Sequence, residues 1–203
     1  KDYRKKYIKY FDTNKNKVKD KKTILDTSPR VILVQNIGLF SVGDSLGAAK
    51  IAGDLTETNA RVISSVEETS KYKFIPEKDL FDVEYWSLEQ AKIKKAKKDL
   101  QGNVVVITGS FGAIGSATYK LFKSYGAEVV LLDYNLQKVN EIKLKIKDLC
   151  LHCDVTNKDS VKKAFKIISE TYGGIDILIS NAGTAIGGSI AEVDDKILRQ
   201  SFE

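Results

Sequence analysis

The stretch Val104-Val105-Val106-Ile107-Thr108-Gly109-Ser110-Phe111-Gly112-Ala113-Ile114-Gly115 decides the fold. An uninterrupted, mostly β-branched apolar run leads straight into glycines at 109, 112 and 115. Such a run, bounded by a turn, reads as a strand buried on both faces. The glycines let the backbone turn tightly, approach a pyrophosphate closely and pack the next helix on the strand. From Ile114 to Tyr125 the apolar residues take a helical period. The start of that helix offers free N–H groups and a partial positive charge to an anion.

Downstream the alternation continues. Glu128–Asp133 reads as a strand, 136–147 as a lysine-rich helix, 149–153 as a short strand, 159–172 as a helix and Ile175–Ser180 as a strand. Strands separated by helices of this length imply βαβ units and a parallel sheet, a Rossmann-like, doubly wound α/β fold. The second strand ends at Asp133, roughly twenty residues beyond the glycine loop. A carboxylate there can accept hydrogen bonds from ribose hydroxyls and would repel a 2′-phosphate. Between Thr108 and Gly115 there is no basic residue to offset that repulsion. The pattern therefore favours NAD over NADP, the alternative being a strand-end aspartate that only forms a turn.

The pattern Thr108-Gly109 through Gly115, with Asp133, Asp154-Val155 and Asn181-Ala182-Gly183 after the last strand, resembles the short-chain dehydrogenases/reductases. The resemblance implies an NAD-binding set of Gly109, Ser110, Phe111, Gly112, Ile114, Gly115, Asp133, Asp154, Val155, Asn181, Ala182 and Gly183. Asp154 and Val155 would lie beside the adenine, and the Asn181 segment would steady the sheet and border the cofactor. The family's redox chemistry uses an Asn, a Ser and a Tyr–Lys pair, the Tyr serving as general acid/base. No YxxxK follows Asn181, the chain ends at Ser201-Phe202-Glu203, and Tyr119 and Tyr125 sit in the first helix of this half. No catalytic residue is assigned, and the chain is expected to be inactive alone as part of an NAD-dependent oxidoreductase. A non-catalytic dinucleotide-binding module is the alternative, distinguished by whether Ser and YxxxK follow in the longer sequence.

Upstream, residues 1–28 are polar and basic without clear period, read as a surface segment or a short helix. Arg30–Gln35 reads as a buried strand, Asn36-Ile37-Gly38 as a turn and Leu39–Gly43 as a second strand. A long amphipathic helix follows from an N-cap at Ser45 to about Ser70. An extended segment over 71–86 surrounds Pro76, and Ser87 caps a lysine-rich linker helix that closes near Gly102. The tracts Ser28–Val34, Gly38-Leu39-Phe40, Asp79–Ala91 and Ile190–Phe202 resemble bifunctional proteins. These fuse a class II aldolase domain, of rhamnulose-1-phosphate aldolase type, to a short-chain dehydrogenase. The resemblance implies an aldolase-like remnant over 1–86, a linker over 87–101 and half of an NAD-binding domain over 102–203. It also implies a small hydroxy or oxo substrate such as lactaldehyde, a role in rhamnose metabolism and a homo-oligomeric parent. Class II aldolases hold zinc through histidines, one of them in an HGL-type turn. Here that turn carries Ile37, and His152 is the sole histidine, so a fold remnant without a metal site is expected.

Composition bounds the rest. The chain has 203 residues, 42% hydrophobic and 30% charged, the profile of an ordinary globular protein. No apolar run is long enough for a membrane span, and no secretory leader is visible, so a cytoplasmic location is expected. Lys1 and Glu203 do not resemble natural termini, and an internal fragment is expected. The net charge of +6 comes from lysine clusters with no groove-reading motif or RNA-binding aromatic pattern, so no nucleic-acid partner is assigned. Cys150 and Cys153 bracket Leu151-His152 without a second ligand pair, and read as small buried thiols on a strand.

Overall fold

The computed structural model describes residues 2–17, 20–92, 98–184, 189 and 191–200. The chain forms two compact units, residues 1–97 and 98–203.

The second unit contains β3 (Val104–Thr108), α5 (Ala113–Ser124), β4 (Glu128–Asp133), α6 (Leu136–Lys143), β5 (Cys150–His152), α7 (Lys158–Tyr172), β6 (Ile177–Ile179) and α8 (Asp195–Gln200). The four strands form one parallel sheet in the order β5-β4-β3-β6. Strand side chains alternate between faces, and both faces are covered. Val104, Val106, Val130, Leu132 and Leu151 pack with Ala164 and Ile168 of α7 on one face. On the other, Val105, Ile107, Val129, Leu131 and Cys150 pack with Val139 of α6 and with Tyr119 and Phe122 of α5. Every residue of β3 is buried. Burying a Val or Ile side chain contributes roughly 1.5–3 kcal/mol, so this strand anchors the unit.

The helices start where the sequence supplies caps. The Asn157 side chain accepts from the N–H groups of Asp159 and Ser160 to open α7, and Asn135 accepts from Lys138 N–H to open α6. Gly173, at φ 80°, ends α7 in the left-handed region that favours glycine. Helix α6 ends at Lys143, short of the expected 147. The expected strands recur, β4 over Glu128–Asp133 as read but β5 and β6 shorter at both ends, and Cys150 and Cys153 are buried free thiols, Cys153 just past β5.

The first unit holds α1 (Asp2–Asn14), β1 (Val31–Val34), β2 (Gly38–Ser41), α2 (Leu46–Thr69), α3 (Glu77–Glu84) and α4 (Ser87–Lys92). Strands β1 and β2 form an antiparallel hairpin, with Asn36 at φ 61° in its turn. Ser45 caps α2 as expected, its hydroxyl accepting from Ala48 N–H at 3.1 Å.

Two expectations need correction. Val31–Val34 is a strand, but it is largely exposed rather than buried, because a two-stranded ribbon offers too little sheet to cover it. The segment 71–86 is not extended throughout, since Glu77–Glu84 is helical. Pro76 sits just before that helix, where its missing N–H costs nothing, and Glu77 and Asp79 in the first turn suit the helix dipole. Phe81 and Tyr85 then fall one turn apart, stack at 4.5 Å and pack with Phe11 of α1. Helix α4 begins where expected, but with Ser87 as its first residue rather than its cap, and residues 93–97 of the proposed linker lie outside the described residues.

Candidate functional site

The site is assembled where the strand order reverses. From β3 the chain proceeds outward to β4 and β5, then returns to the other side of β3 as β6. In open parallel sheets the crevice at the carboxyl ends of the strands, at such a reversal, is where ligands bind. The glycine loop leaves β3 there, and Asn181 and Ala182 follow β6 beside it.

Close approach explains two of the glycines. Gly109 has φ 60°, and a Cβ on it would lie 2.9 Å from Ala182 Cα. A Cβ on Gly115 would overlap the Gly109 carbonyl oxygen and lie 2.7 Å from Ser110 Cα. Gly112 is different, because among the described residues a Cβ there would meet only the Gly109 oxygen, at 3.4 Å. It is exposed and forms the N-cap of α5 without a side-chain hydrogen bond. The first-turn N–H groups of α5 therefore have no side-chain cap and face an open cradle.

Asp133, at the end of β4, ties the loop in place. One carboxylate oxygen accepts from Phe111 N–H at 2.8 Å and the other from Asn135 N–H at 3.0 Å. Each oxygen keeps a further lone pair for a donor such as a hydroxyl. Ser110 is buried, and its N–H and hydroxyl both donate to the Leu132 carbonyl. Its side chain thus braces the loop from below. Phe111 packs its ring against the core cluster and offers its backbone to the site, while Ile114 is exposed on α5.

A second set of bonds joins β3 to β6. The Thr108 hydroxyl accepts from the N–H groups of Asn181 and Ala182, at 3.0 and 2.9 Å, and donates to Ile179 O. The Asn181 amide donates back to Thr108 O and Gly109 O. Thr108 is therefore a site residue in addition to Asn181 and Ala182, which the resemblance implies. A polar residue closing an apolar strand directly before the first glycine was the available signal.

Asp154 and Val155 lie after β5. The Asp154 carboxylate accepts from both the N–H and the hydroxyl of Thr156, bonds that hold its pKa below the ordinary carboxylate value. It forms a turn, and its backbone N–H is held by the Ser160 hydroxyl. Val155 is exposed, as is Gly183. Beside them His152 is paired in register with Asp133, and its ring lies 5.9 Å from that of Tyr134. Neither aromatic was singled out from the sequence for this site.

The cysteines carry no sign of redox activation. Burial raises both thiol pKa values, first in order of effect, which disfavours the thiolate. Among the described residues no group of three His, Cys, Asp or Glu side chains could hold a metal ion. Among them, too, no helix is long and apolar enough to cross a membrane.

Residues 103–203 match the family model described as short chain dehydrogenase, and residues 1–93 match aldolase class II, second domain. The protein named Uncharacterized oxidoreductase YuxG, of Bacillus subtilis (strain 168), is 32% identical over 199 residues, covering 94% of this chain and 28% of that protein. Short-chain dehydrogenase reductase 3b of Arabidopsis thaliana is 40% identical over 89 residues, covering 42% of this chain and 35% of that one. A crystal structure of a glucose/ribitol dehydrogenase-type short-chain dehydrogenase from Brucella melitensis aligns at a TM-score of 0.48 and 26% identity, covering 53% of this chain and 47% of that one. The chain thus spans about a third or less of the length of these two curated relatives.

Proposed function

Starting from a second half that matches the short-chain dehydrogenases and a first half that matches a class II aldolase domain, we propose that residues 102–203 form the NAD-binding part of a larger oxidoreductase. The observation that carries this reading is the Gly109–Gly115 cradle. It is closed to side chains by Gly109 and Gly115, open at Gly112, and backed by the uncapped start of α5.

The cradle fits a pyrophosphate. Backbone N–H groups of the loop and of α5 supply donors without charge, and Gly112 leaves room for the phosphate oxygens. Asp133 can accept from the adenosine ribose hydroxyls with the lone pairs that Phe111 and Asn135 leave free. Its charge opposes a 2′-phosphate, which gives the preference for NAD over NADP. Exposed Val155 offers an apolar surface to the adenine edge. Asn181 and Thr108 hold the floor of the crevice rigid. When bound, NAD supplies the hydride acceptor or donor, and the chain's own residues bind and orient it. Assigned residues are Gly109, Ser110, Phe111, Gly112, Ile114, Gly115, Asp133, Asp154, Val155, Asn181, Ala182 and Gly183. Of these, Ser110 and Asp154 act by bracing loops rather than by presenting side chains.

In the longer protein the reading extends to a cytoplasmic bifunctional sugar-phosphate aldolase/dehydrogenase, acting on a small hydroxy or oxo compound such as lactaldehyde. Its support is the co-occurrence of the two family matches in one chain.

Calorimetric titration of the chain with NAD and NADP tests the binding claim. NAD should bind more tightly than NADP, and Asp133→Ala should weaken NAD by about tenfold or more while narrowing the difference. Absence of binding to either nucleotide, or equal affinity for both, would overturn it.

A further inference from the structure

Helix α2 has two apolar faces, and one of them is exposed among the described residues. Ala49, Ala52, Gly53, Ile63 and Val66 are half-buried on the side that includes the β2 contact, where Gly53 approaches Ser41 and Leu39. On another side, Ile51, Leu55 and Val62 are exposed by 61%, 61% and 50%. With Ala48, Thr58 and Ser65 they complete a heptad seam of alternating three- and four-residue steps. Over residues 48–65 the seam is roughly 25 Å long, at 1.5 Å per residue. Alternating three- and four-residue steps, here with Thr58 and Ser65 among small and apolar residues, suit a helix that packs along another helix.

The flanking charges select the partner. Asp54 and Arg61 both occupy the position immediately before an apolar heptad start, one heptad apart. In an antiparallel pairing of two α2 helices, Leu55 meets Thr58 of the second copy and Ile51 meets Val62. The same register sets Asp54 of each copy against Arg61 of the other. A parallel pairing would instead set Asp54 against Asn59 and Arg61 against Val66, with no opposite charges matched. In the single chain Arg61 lies 3.5 Å from Glu57, with both side chains largely exposed. Such a pair is weak and leaves the guanidinium free to re-pair. A surface that complements itself through a two-fold axis is the requirement for an isologous dimer.

We propose that the α2 seam is a self-association surface, on which a second copy of this chain docks its own α2 antiparallel, with reciprocal Asp54–Arg61 pairs. The proposal is independent of the dinucleotide site. Sedimentation equilibrium of the full chain tests it, with Asp54→Arg, Arg61→Asp and the double exchange. Wild type should dimerise. Each single exchange, which sets like charges face to face twice, should weaken dimerisation by roughly tenfold or more. The double exchange should restore it, with helicity by circular dichroism unchanged throughout. Leu55→Glu should abolish the dimer. A chain that stays monomeric at every attainable concentration overturns the proposal. So does a dimer indifferent to the single exchanges, or one that the double exchange fails to rescue.

Discussion

Strands β1 and β3 have nearly the same composition, Val-Ile-Leu-Val at 31–34 and Val-Val-Val-Ile-Thr at 104–108, yet they have opposite surroundings. Every residue of β3 is buried, whereas Leu33 in β1 is 73% exposed. The difference lies in what each strand is given to pack on. β3 has a hydrogen-bonded neighbour on either side and helices on both faces of its sheet. Among the described residues β1 has one neighbour, in a two-stranded ribbon. An apolar β-branched run thus specifies a strand, while its burial is set by residues far away in sequence.

The sharpest way to break the comparison is to place the same charge in both strands. Val106→Asp buries a carboxylate in a dry core and should cost more than about 4 kcal/mol, unfolding the second unit. Leu33→Asp should change stability by no more than about 0.5 kcal/mol. Urea unfolding followed by circular dichroism reads the loss of β3. The fluorescence of Trp86, the chain's one tryptophan, reports on the first unit. Equal damage from the two substitutions would show that β1 is covered in solution.

Next in size come the glycines. Gly115→Ala drives a methyl into the Gly109 carbonyl and should cost about 2–3 kcal/mol along with nucleotide binding. Gly112→Ala has room for its methyl and should leave the melting temperature nearly unchanged while weakening NAD in the same calorimetric assay. Parallel losses of stability and affinity at Gly112 would contradict the open cradle.

A smaller effect is expected at the end of β3. Thr108→Val keeps the shape but deprives the Asn181 and Ala182 N–H groups of their acceptor. A loss of about 1–3 kcal/mol in denaturant unfolding is expected, with no counterpart in β1.

The smallest effect is a pH dependence. Burial, and then the hydrogen bond to Asp148, push the Tyr119 hydroxyl up to about 12. The unfolded value is near 10. A raised folded value means that the contribution is complete below pH 10 and disappears as pH rises through 12. Tyr119→Phe should cost about 1 kcal/mol at neutral pH and flatten the pH 10–12 decline in melting temperature. Tyr172, pushed up to about 12 chiefly by burial, retains its share of that decline.

How much of this was legible in the sequence follows the same division. The alternation from 104 to 179 could be read because glycine loop, strand length and helix caps all agree locally. Helix α3 was missed because Pro76 suggests an extended segment, when it also suits the position before a helix. The exposure of β1 was illegible, since nothing within 31–34 states how many strands will join it. At the site, the glycines and Asp133 stood out by type and spacing. The bond from Phe111 N–H to Asp133 and the Thr108–Asn181 exchange span the sheet, and no local pattern encodes them. Self-complementary charges on α2 were present in the sequence, but only the exposure of Ile51 and Leu55 made them informative.

The bond from Phe111 N–H to Asp133 also shapes the heat of binding. Fixing a loop residue costs about 1–2 kcal/mol of conformational entropy, and here the fold itself has already fixed the turn around Phe111. Nucleotide capture by the intact chain should then show little ordering penalty, its affinity coming largely from enthalpy. Removing the Asp133 carboxylate would return that disorder to the free protein. Part of the lost affinity should therefore surface as a more unfavourable entropy, felt even by a ligand fragment that carries the phosphates and never reaches the ribose.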